Sequence, residues 1–401
     1  MFQSTPKSEL DHRMTRLRRR LDEREPGWRA AIVTRKPSLF YLTGAVPDGM
    51  LYLPRETDAT LFVRRGYSRA MEESAFSRIR PMRSFRDAAE RIGSRPQEVL
   101  VEKDGLTLSL LELLNKHFHF ERIDDIAPHL SAVRAVKSRY EIERVRRAGA
   151  IQAEILERIV PTLLREGMTE AELAAEILAA FLKRGSLGLI RVNQPEMELL
   201  LGCVCFGDSS LLSNGFSGPD GLLGMHTTLQ SMGSPGRRLA KGDIVFVDAG
   251  CNFEGYHTDK TVVYGFGADP PDEVLAAHER CLAIQADSSA RLRPGERPSA
   301  IYESVVAGMD AAFFENFMGF GEQHVPFLGH GCGLHVAEPP IIAKGFDEPL
   351  EENMVIALEP KKGIPGIGMV GTENTFLVTP EGGLRLTGGE GALVVCRGAA
   401  G

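Results

Sequence analysis

The sequence predicts two domains: a small α/β domain, followed by a larger domain that mixes helices with strands. A chain of 401 residues exceeds what a single hydrophobic core usually holds. Residues 1–135 alternate between helical and strand patterns, whereas strand patterns dominate from Asp243 onward. Between these regions, Ser138 begins a sequence typical of a helix start. We therefore place the domains at residues 1–135 and 136–401.

The composition is that of an ordinary globular protein, with 43% hydrophobic and 25% charged residues. A net charge of −7 argues against a nucleic-acid-binding protein, which would carry a basic excess. No apolar run approaches the length of a membrane span, and the N-terminus lacks the apolar core of a signal peptide. The six cysteines are scattered along the chain and do not suggest a disulfide framework. We expect a cytoplasmic protein that binds neither membranes nor nucleic acids.

The first domain begins with an amphipathic helix near Met14–Glu23, in which Met14, Leu17 and Leu21 lie at helical spacing and the arginines between them face water. Strands are predicted at Ala30–Thr34 and from Leu51 and Ala59.

The second domain opens with two helices, each predicted by a capping box, at Ser138 and at Thr169. Residues 202–236 are rich in Gly and Ser, and loops of this length in a compact domain are usually functional or disordered. Helical segments follow at residues 272–292 and 299–317, and the remaining segments are strand-like.

Two aspartates interrupt apolar strand patterns in the segment VDAGCNFEGYHTDKT. Asp248 closes one strand-like run and Asp259 opens the next. If Phe253 and Glu254 form the tip of a hairpin, Asp248 faces Asp259, with Cβ atoms about 5 Å apart. Two facing buried carboxylates repel each other and resist ionisation unless a cation lies between them. The pair therefore predicts a metal site.

Two further carboxylates and a histidine occupy similar positions. Glu359 ends the strand-like run MVIAL, Glu373 begins another, and His330 lies between two glycines. The alternative is a set of isolated strand-end charges that face water, but four such charges with a glycine-flanked histidine form an unusual combination. Four carboxylates and one imidazole fit two divalent ions, such as Mn, Co, Fe or Zn.

These residues and their frames resemble the pita-bread metallopeptidase family, which includes methionine aminopeptidase, Xaa-Pro aminopeptidase, prolidase and creatinase. The order Asp, Asp, His, Glu, Glu and the frames VDAG, GHGCGL, ALEP and TENTFLVT match that family. The stretches KPSLFYLTG and AVKSRYEIERVRRA resemble the creatinase-type N-terminal domain and the first catalytic-domain helix, which indicates the Xaa-Pro peptidase/creatinase branch.

The resemblance implies an α+β pita-bread catalytic domain with a curved antiparallel sheet, preceded by a creatinase-type α/β N-terminal domain, in a homodimer. It also implies that Asp248 and Asp259 bind and bridge two metal ions, that His330 binds one, and that Glu359 and Glu373 bind the other or both. A hydroxide between the ions would attack the scissile carbonyl of a short peptide, and Glu359 would shuttle the proton.

The sequence departs from the family where its peptidases hold their substrate. Ala337 stands where a histidine is usual, the segment 229–232 lacks another histidine, Pro326 replaces a third, and Gly371 replaces an arginine. Losing one such donor typically costs a few kcal/mol of transition-state stabilisation. His335 and His226 are the candidates to replace these missing substrate-binding groups.

Three functions are compatible with this sequence. The first is a dinuclear hydrolase of short peptides, resembling Xaa-Pro aminopeptidase and prolidase. The second is a metal-dependent hydrolase of a small non-peptide amide or C–N bond, which the missing histidines favour. The third is a catalytically silent binding module on the same fold, which the intact set of ligands disfavours.

Overall fold

The computed structural model describes residues 4–93, 97–194, 197 and 199–397. Within them the chain forms two compact units, of which one ends at Arg134 and the other begins at Ala135. Among the described residues, no helix combines the length and the apolar character needed to cross a bilayer.

The first unit is built on one mixed sheet of strand order β4-β3-β2-β1-β5-β6, in which β1 pairs antiparallel with β2 and parallel with β5. Its strands are β1 (Ala30–Val33), β2 (Asp48–Pro54), β3 (Thr60–Arg65), β4 (Ile79–Pro81), β5 (Glu98–Val101) and β6 (Arg122–Asp125). Its helices are α1 (Lys7–Arg24), α2 (Lys36–Thr43), α3 (Tyr67–Glu73), α4 (Phe85–Ile92), α5 (Leu108–Phe118) and α6 (Ala127–Ala135).

The second unit holds two principal sheets, of strand order β21-β11-β10-β9 and β15-β14-β16-β19-β20. The strands of this unit are β7 (Leu189–Ile190), β8 (Leu199–Leu200), β9 (Gly202–Phe206), β10 (Ile244–Phe253), β11 (Tyr256–Phe266), β12 (Gly319–Phe320), β13 (Gln323–His324), β14 (Phe327–Gly331), β15 (Glu338–Ala343), β16 (Val355–Leu358), β17 (Lys361–Ile364), β18 (Gly368–Gly371), β19 (Asn374–Thr379), β20 (Gly382–Arg385) and β21 (Val394–Cys396). Its helices are α7 (Arg139–Glu154), α8 (Val160–Leu163), α9 (Glu170–Lys183), α10 (Asp272–Ala290), α11 (Pro298–Ala307) and α12 (Ala311–Phe314).

Both predicted capping boxes are confirmed. Ser138 accepts a hydrogen bond from the Glu141 backbone at the start of α7, and Thr169 does the same for Glu172 at the start of α9. Each glutamate side chain in turn accepts a hydrogen bond from the backbone N–H of its cap residue. The helix predicted over 299–317 is wrong as a single element, because it breaks after Ala307 into α11 and α12.

Helix α7 packs against the long hairpin β10–β11 and helps to fix it. The Gln152 side chain donates a hydrogen bond to the Ala249 carbonyl on β10. The Tyr264 hydroxyl on β11 donates to the Leu156 carbonyl at 2.6 Å, in the π-helical turn that follows α7. Because both buried side chains donate hydrogen bonds across the contact between helix and hairpin, the hairpin is held in one position against the helix.

The two principal sheets meet where β11 passes the start of β19. The Thr261 N–H donates to the Glu373 carbonyl at 3.3 Å, and the Asp259 N–H donates to the Thr375 hydroxyl at 2.9 Å. This contact brings carboxylates from the two sheets close together.

Candidate metal centre

The hairpin β10–β11 carries Asp248 and Asp259 on one face. Its turn residues are Glu254 and Gly255, with φ values of 49° and 93°, so the predicted tip at Phe253 and Glu254 is wrong. In the observed register Asp248 lies opposite Thr261, and Asp259 lies opposite Gly250. The two aspartates are therefore diagonal neighbours. They share a face because side chains alternate with a period of two, and the register differs from the predicted one by two residues.

The second sheet supplies His330, Glu359 and Glu373. His330 lies on β14, opposite Ala357 of β16; Glu359 directly follows β16, and Glu373 directly precedes β19. All three side chains are buried, with exposed fractions of 7%, 4% and 1%.

The glycines that flank His330 allow the neighbouring strands to pack closely. A Cβ on Gly329 would lie 2.0 Å from the Ala357 carbonyl oxygen, and one on Gly331 would lie 2.6 Å from that of Glu338. Larger residues would therefore push the neighbouring strands apart and displace the histidine.

Three of these side chains converge on one point. Asp259, His330 and Glu373 each offer a ligand atom, and these atoms lie within 4.8 Å of one another. The His330 Nε2 atom is 3.4 Å from Glu359 Oε1 and 3.9 Å from Glu373 Oε1. Glu373 Oε1 is buried and has no hydrogen-bond partner in the described part of the chain. A buried oxygen without a partner, facing an imidazole nitrogen, fits a divalent ion between them.

The electrostatics of the cluster favour a cation. Burial and the carboxylates of Glu373 and Asp248 raise the pKa of Asp259 well above its ordinary value. Burial also raises the pKa of Glu373 well above the usual range and that of Glu359 to about 7. Burial lowers the pKa of His330, so the imidazole is neutral at pH 7 and able to act as a ligand.

A lysine that is not among the predicted site residues lies inside this cluster. The Lys361 side chain is fully buried, and its Nζ atom lies 2.7 Å from Asp248 Oδ2, 3.0 Å from Glu359 Oε2 and 3.1 Å from Glu373 Oε2. A fifth carboxylate, Asp220, approaches the same Nζ atom at 3.3 Å. Burial alone would lower the pKa of Lys361, but the four carboxylates together raise it well above its ordinary value. Lys361 is therefore a fixed ammonium.

The sequence gives only weak signals that Lys361 and Asp220 belong to the site. Lys361 follows Glu359 by two positions, and residues two apart on an extended segment point to the same side, which is the one signal that could have found it. Asp220 lies in the tripeptide Pro-Asp-Gly, which is typical of an exposed turn. The structure buries it instead, with 1% of its surface exposed.

A pocket of about 250 Å³ opens onto the cluster. Its ionisable residues are Asp220, Asp248, Asp259, His330 and Glu359, and Asn193, Gln194 and Ser217 add further polar groups. The rest of its described lining is mostly apolar and includes Ile190, Val192, Met197, Leu199, Cys203, Phe216, Phe327, Val336, Ala337 and Ile341.

The two histidines predicted to contact substrate lie elsewhere. His335 is buried, with Nδ1 3.7 Å from Glu338 Oε2, and His226 is exposed, with Nδ1 2.9 Å from the Thr228 hydroxyl. Neither belongs to the described lining of the pocket, in which His330 is the only histidine.

Gly371, which stands at the family's arginine position, lies opposite Lys361 across β17–β18. Its φ is +132°, and a Cβ there would lie 2.4 Å from the Pro360 oxygen and 2.7 Å from the Lys361 Cα. The strand that carries Lys361 can approach this closely because residue 371 has no side chain.

Two family models match the chain. The model of metallopeptidase family M24 matches residues 143–380, and that of the creatinase/prolidase N-terminal domain matches residues 13–136. Over 378 residues the chain is 28% identical to a Xaa-Pro dipeptidase of Pyrococcus horikoshii, covering 91% of this chain and 94% of that one. It is 25% identical over 359 residues to an uncharacterised peptidase of Staphylococcus epidermidis, with coverage of 88% and 93%.

Solved structures share the fold. The prolidase of Pyrococcus horikoshii superposes with a TM-score of 0.76 at 23% identity, covering 94% of this chain and 98% of that one. An X-Pro aminopeptidase of Thermotoga maritima gives a TM-score of 0.74 at 24% identity, with coverage of 94% and 99%. The predicted family and fold class are thereby confirmed. The chain belongs to metallopeptidase family M24 and is an enzyme of that family, with a creatinase/prolidase N-terminal domain ahead of a pita-bread catalytic domain.

Proposed function

We propose that this metal-dependent peptidase cleaves short peptides at Xaa-Pro bonds. The observation that carries the proposal is the convergence of Asp259, His330 and Glu373 beside a pocket of about 250 Å³. The relatives named Xaa-Pro dipeptidase support the choice of substrate. The apolar walls of the pocket suit a pyrrolidine ring.

The five predicted ligands and Lys361 have separate roles in this proposal. Asp259, His330 and Glu373 hold a divalent ion, which when bound polarises a carbonyl and acidifies water. Glu359 lines the pocket beside His330 and is placed to take up and return a proton. Lys361 and Asp248 hold each other in an ion pair at 2.7 Å. The second ion expected from the sequence would have to displace the Lys361 ammonium from Asp248.

A second candidate function is hydrolysis of a small non-peptide amide or C–N bond. It is favoured by Ala337, which lines the pocket where the family's peptidases usually carry a histidine. With His330 as the only histidine in the described lining, the pocket offers fewer donors to a peptide backbone.

We also propose, from the family resemblance, a homodimer that acts in the cytoplasm. All six cysteines are buried and unpaired, which fits a reducing compartment. Light scattering on the purified chain tests the dimer, and a monomer at micromolar concentration would contradict it.

The decisive experiment is hydrolysis of Xaa-Pro dipeptides and Xaa-Pro-Xaa tripeptides by protein loaded with Mn²⁺ or Co²⁺. We expect turnover by the wild type and a loss of at least about 100-fold in His330→Ala, because the substitution removes an ion ligand. His117→Ala, on helix α5 of the first unit, is the matched control and should keep full activity. Turnover of small amides without any turnover of peptides would favour the second candidate.

A further inference from the structure

Lys361 contacts the oxygens that would otherwise hold a metal ion. Of the five predicted ligands, Asp248, Glu359 and Glu373 each place one carboxylate oxygen within 3.1 Å of the Lys361 Nζ atom. The Lys361 ammonium is therefore the cation that these three carboxylates bind in this structure.

A metal ion and this ammonium cannot share the position. Divalent ions bind carboxylate oxygens at about 2.0–2.2 Å. An ion held by Asp248 Oδ2 and Glu373 Oε2 would therefore occupy the space next to Nζ, which lies 2.7 Å and 3.1 Å from those atoms. Two positive charges at such a distance, away from water, repel each other strongly.

The two oxygens of the Glu373 carboxylate face different sides of the cluster. One faces Lys361 and the other faces His330. Its Oε2 atom accepts hydrogen bonds from Lys361 and from the Thr261 hydroxyl, the latter at 3.0 Å. Its Oε1 atom faces His330 and has no hydrogen-bond partner among the described residues. The Glu373 carboxylate thus lies between the Lys361 ammonium and the side of the cluster that holds His330 and Asp259.

Asp220 adds a further carboxylate to the side of the cluster that holds Lys361. This buried carboxylate is not among the five predicted ligands, yet its Oδ1 atom lies 3.3 Å from the Lys361 Nζ atom. In its observed position the Lys361 ammonium is therefore paired with carboxylates of four residues, as a buried charge requires.

We propose that this chain binds one divalent ion, held by Asp259, His330 and Glu373, and that the Lys361 ammonium occupies the place of the second ion. The inference deepens the proposed function and rests on its metal site, but it does not depend on the peptide substrate.

Metal stoichiometry tests the proposal directly. The full-length protein is stripped with a chelator, dialysed against excess Mn²⁺ or Zn²⁺, and analysed for bound metal by mass spectrometry. We expect one ion per chain in the wild type and two in Lys361→Ala, which empties the second position and leaves its carboxylates free. Lys362→Ala, a change at the neighbouring lysine that lies outside the cluster, should bind one ion.

Two further variants keep the test conclusive if Lys361→Ala does not fold. Asp248→Asn should still bind one ion, because Asp248 is paired with the lysine, whereas His330→Ala should bind none. In crystals soaked with Mn²⁺, anomalous scattering should show a single peak beside His330 and none beside Asp248.

Several results would overturn the inference. Two ions or none in the wild type would do so, and so would a folded Lys361→Ala protein that still binds one ion. Failure of the proposed function would look different, since a protein that binds one ion but cleaves no peptide would contradict the substrate alone. Peptide cleavage by a chain with two ions would contradict only the role of Lys361.

Discussion

Individual buried carboxyl groups set much of the pH response of this chain, and Glu102 in the first unit is the simplest example. It is 4% exposed, and its Oε1 atom accepts a hydrogen bond from the Ser38 hydroxyl at 2.5 Å. Burial raises its pKa from about 4.5 to about 7. The protonated form is therefore favoured in the folded state.

The sign of the resulting stability change is fixed by linkage. The contribution of Glu102 is complete below about pH 4.5 and is lost as pH rises through about 7. We expect Glu102→Gln to remove this loss, which amounts to roughly 3 kcal/mol in the free energy of unfolding. Trp28, the only tryptophan, is buried in the same unit, and its fluorescence reports the transition.

The control for this prediction is Glu112→Gln, at an exposed position on helix α5. Its unfolding free energy should follow the wild type between pH 4.5 and 8. If Glu102→Gln kept the wild-type slope over this interval, the assignment of the pH dependence to Glu102 would be wrong.

The sequence alone predicted the carboxylates of the site but not the lysine between them. Asp248, Asp259, Glu359 and Glu373 were predicted because charges at the ends of apolar strands are conspicuous. Lys361 was not, because a lysine after a strand is ordinarily a solvated residue. The spacing of two residues relates Lys361 to Glu359 alone, and only the fold brings the other three carboxylates around it.

At the level of elements, the hairpin β10–β11 determines where two of the carboxylates lie. Its two-residue turn has positive φ at both positions, as in a type I′ turn, and the Gly255 N–H donates to Asn252 Oδ1 at 2.9 Å. The predicted turn, at Phe253 and Glu254, lies one residue before the observed one. The pairing of the strands was wrong as a result, although a shift of two residues leaves each side chain on its predicted face.

We expect Gly255→Ala to lower the free energy of unfolding by about 1–2 kcal/mol, because a Cβ at φ = 93° is strained. Denaturant unfolding followed by circular dichroism measures the change. Gly236→Ala is the matched control, since the nearest atom to its Cβ would be the Ser234 hydroxyl at 3.7 Å, and it should alter stability by less than about 0.5 kcal/mol. Equal losses in the two variants would contradict the expected strain.

Over the whole molecule, proton and metal binding compete for the same cluster. The raised pKa values of Asp259, Glu373 and Glu359 mean that their folded-state carboxyls bind protons more readily than unfolded ones. Without an ion, their contribution to stability is present at low pH and lost as pH rises. A bound ion requires the ionised forms and reverses this preference.

We therefore expect Mn²⁺ to raise the melting temperature more at pH 8 than at pH 5. At a concentration 100 times its Kd, the ion should add about 2.7 kcal/mol to the free energy of unfolding at pH 8, and less than half of that at pH 5. Calorimetry with Mn²⁺ and with a chelator measures the difference. Glu102 and the buried His257 and His278 titrate outside the cluster and cancel in this comparison. An equal gain at both pH values would contradict the competition.

The facing positions 361 and 371 have a consequence for homologous chains. Because the strand with Lys361 approaches residue 371 at backbone contact distance, a larger side chain at 371 must divert that strand and withdraw position 361 from the carboxylates. Lysine at the first position and glycine at the second should therefore covary through evolution. A genome survey of this residue pair could then sort family members by the number of ions they use before any of the proteins is purified.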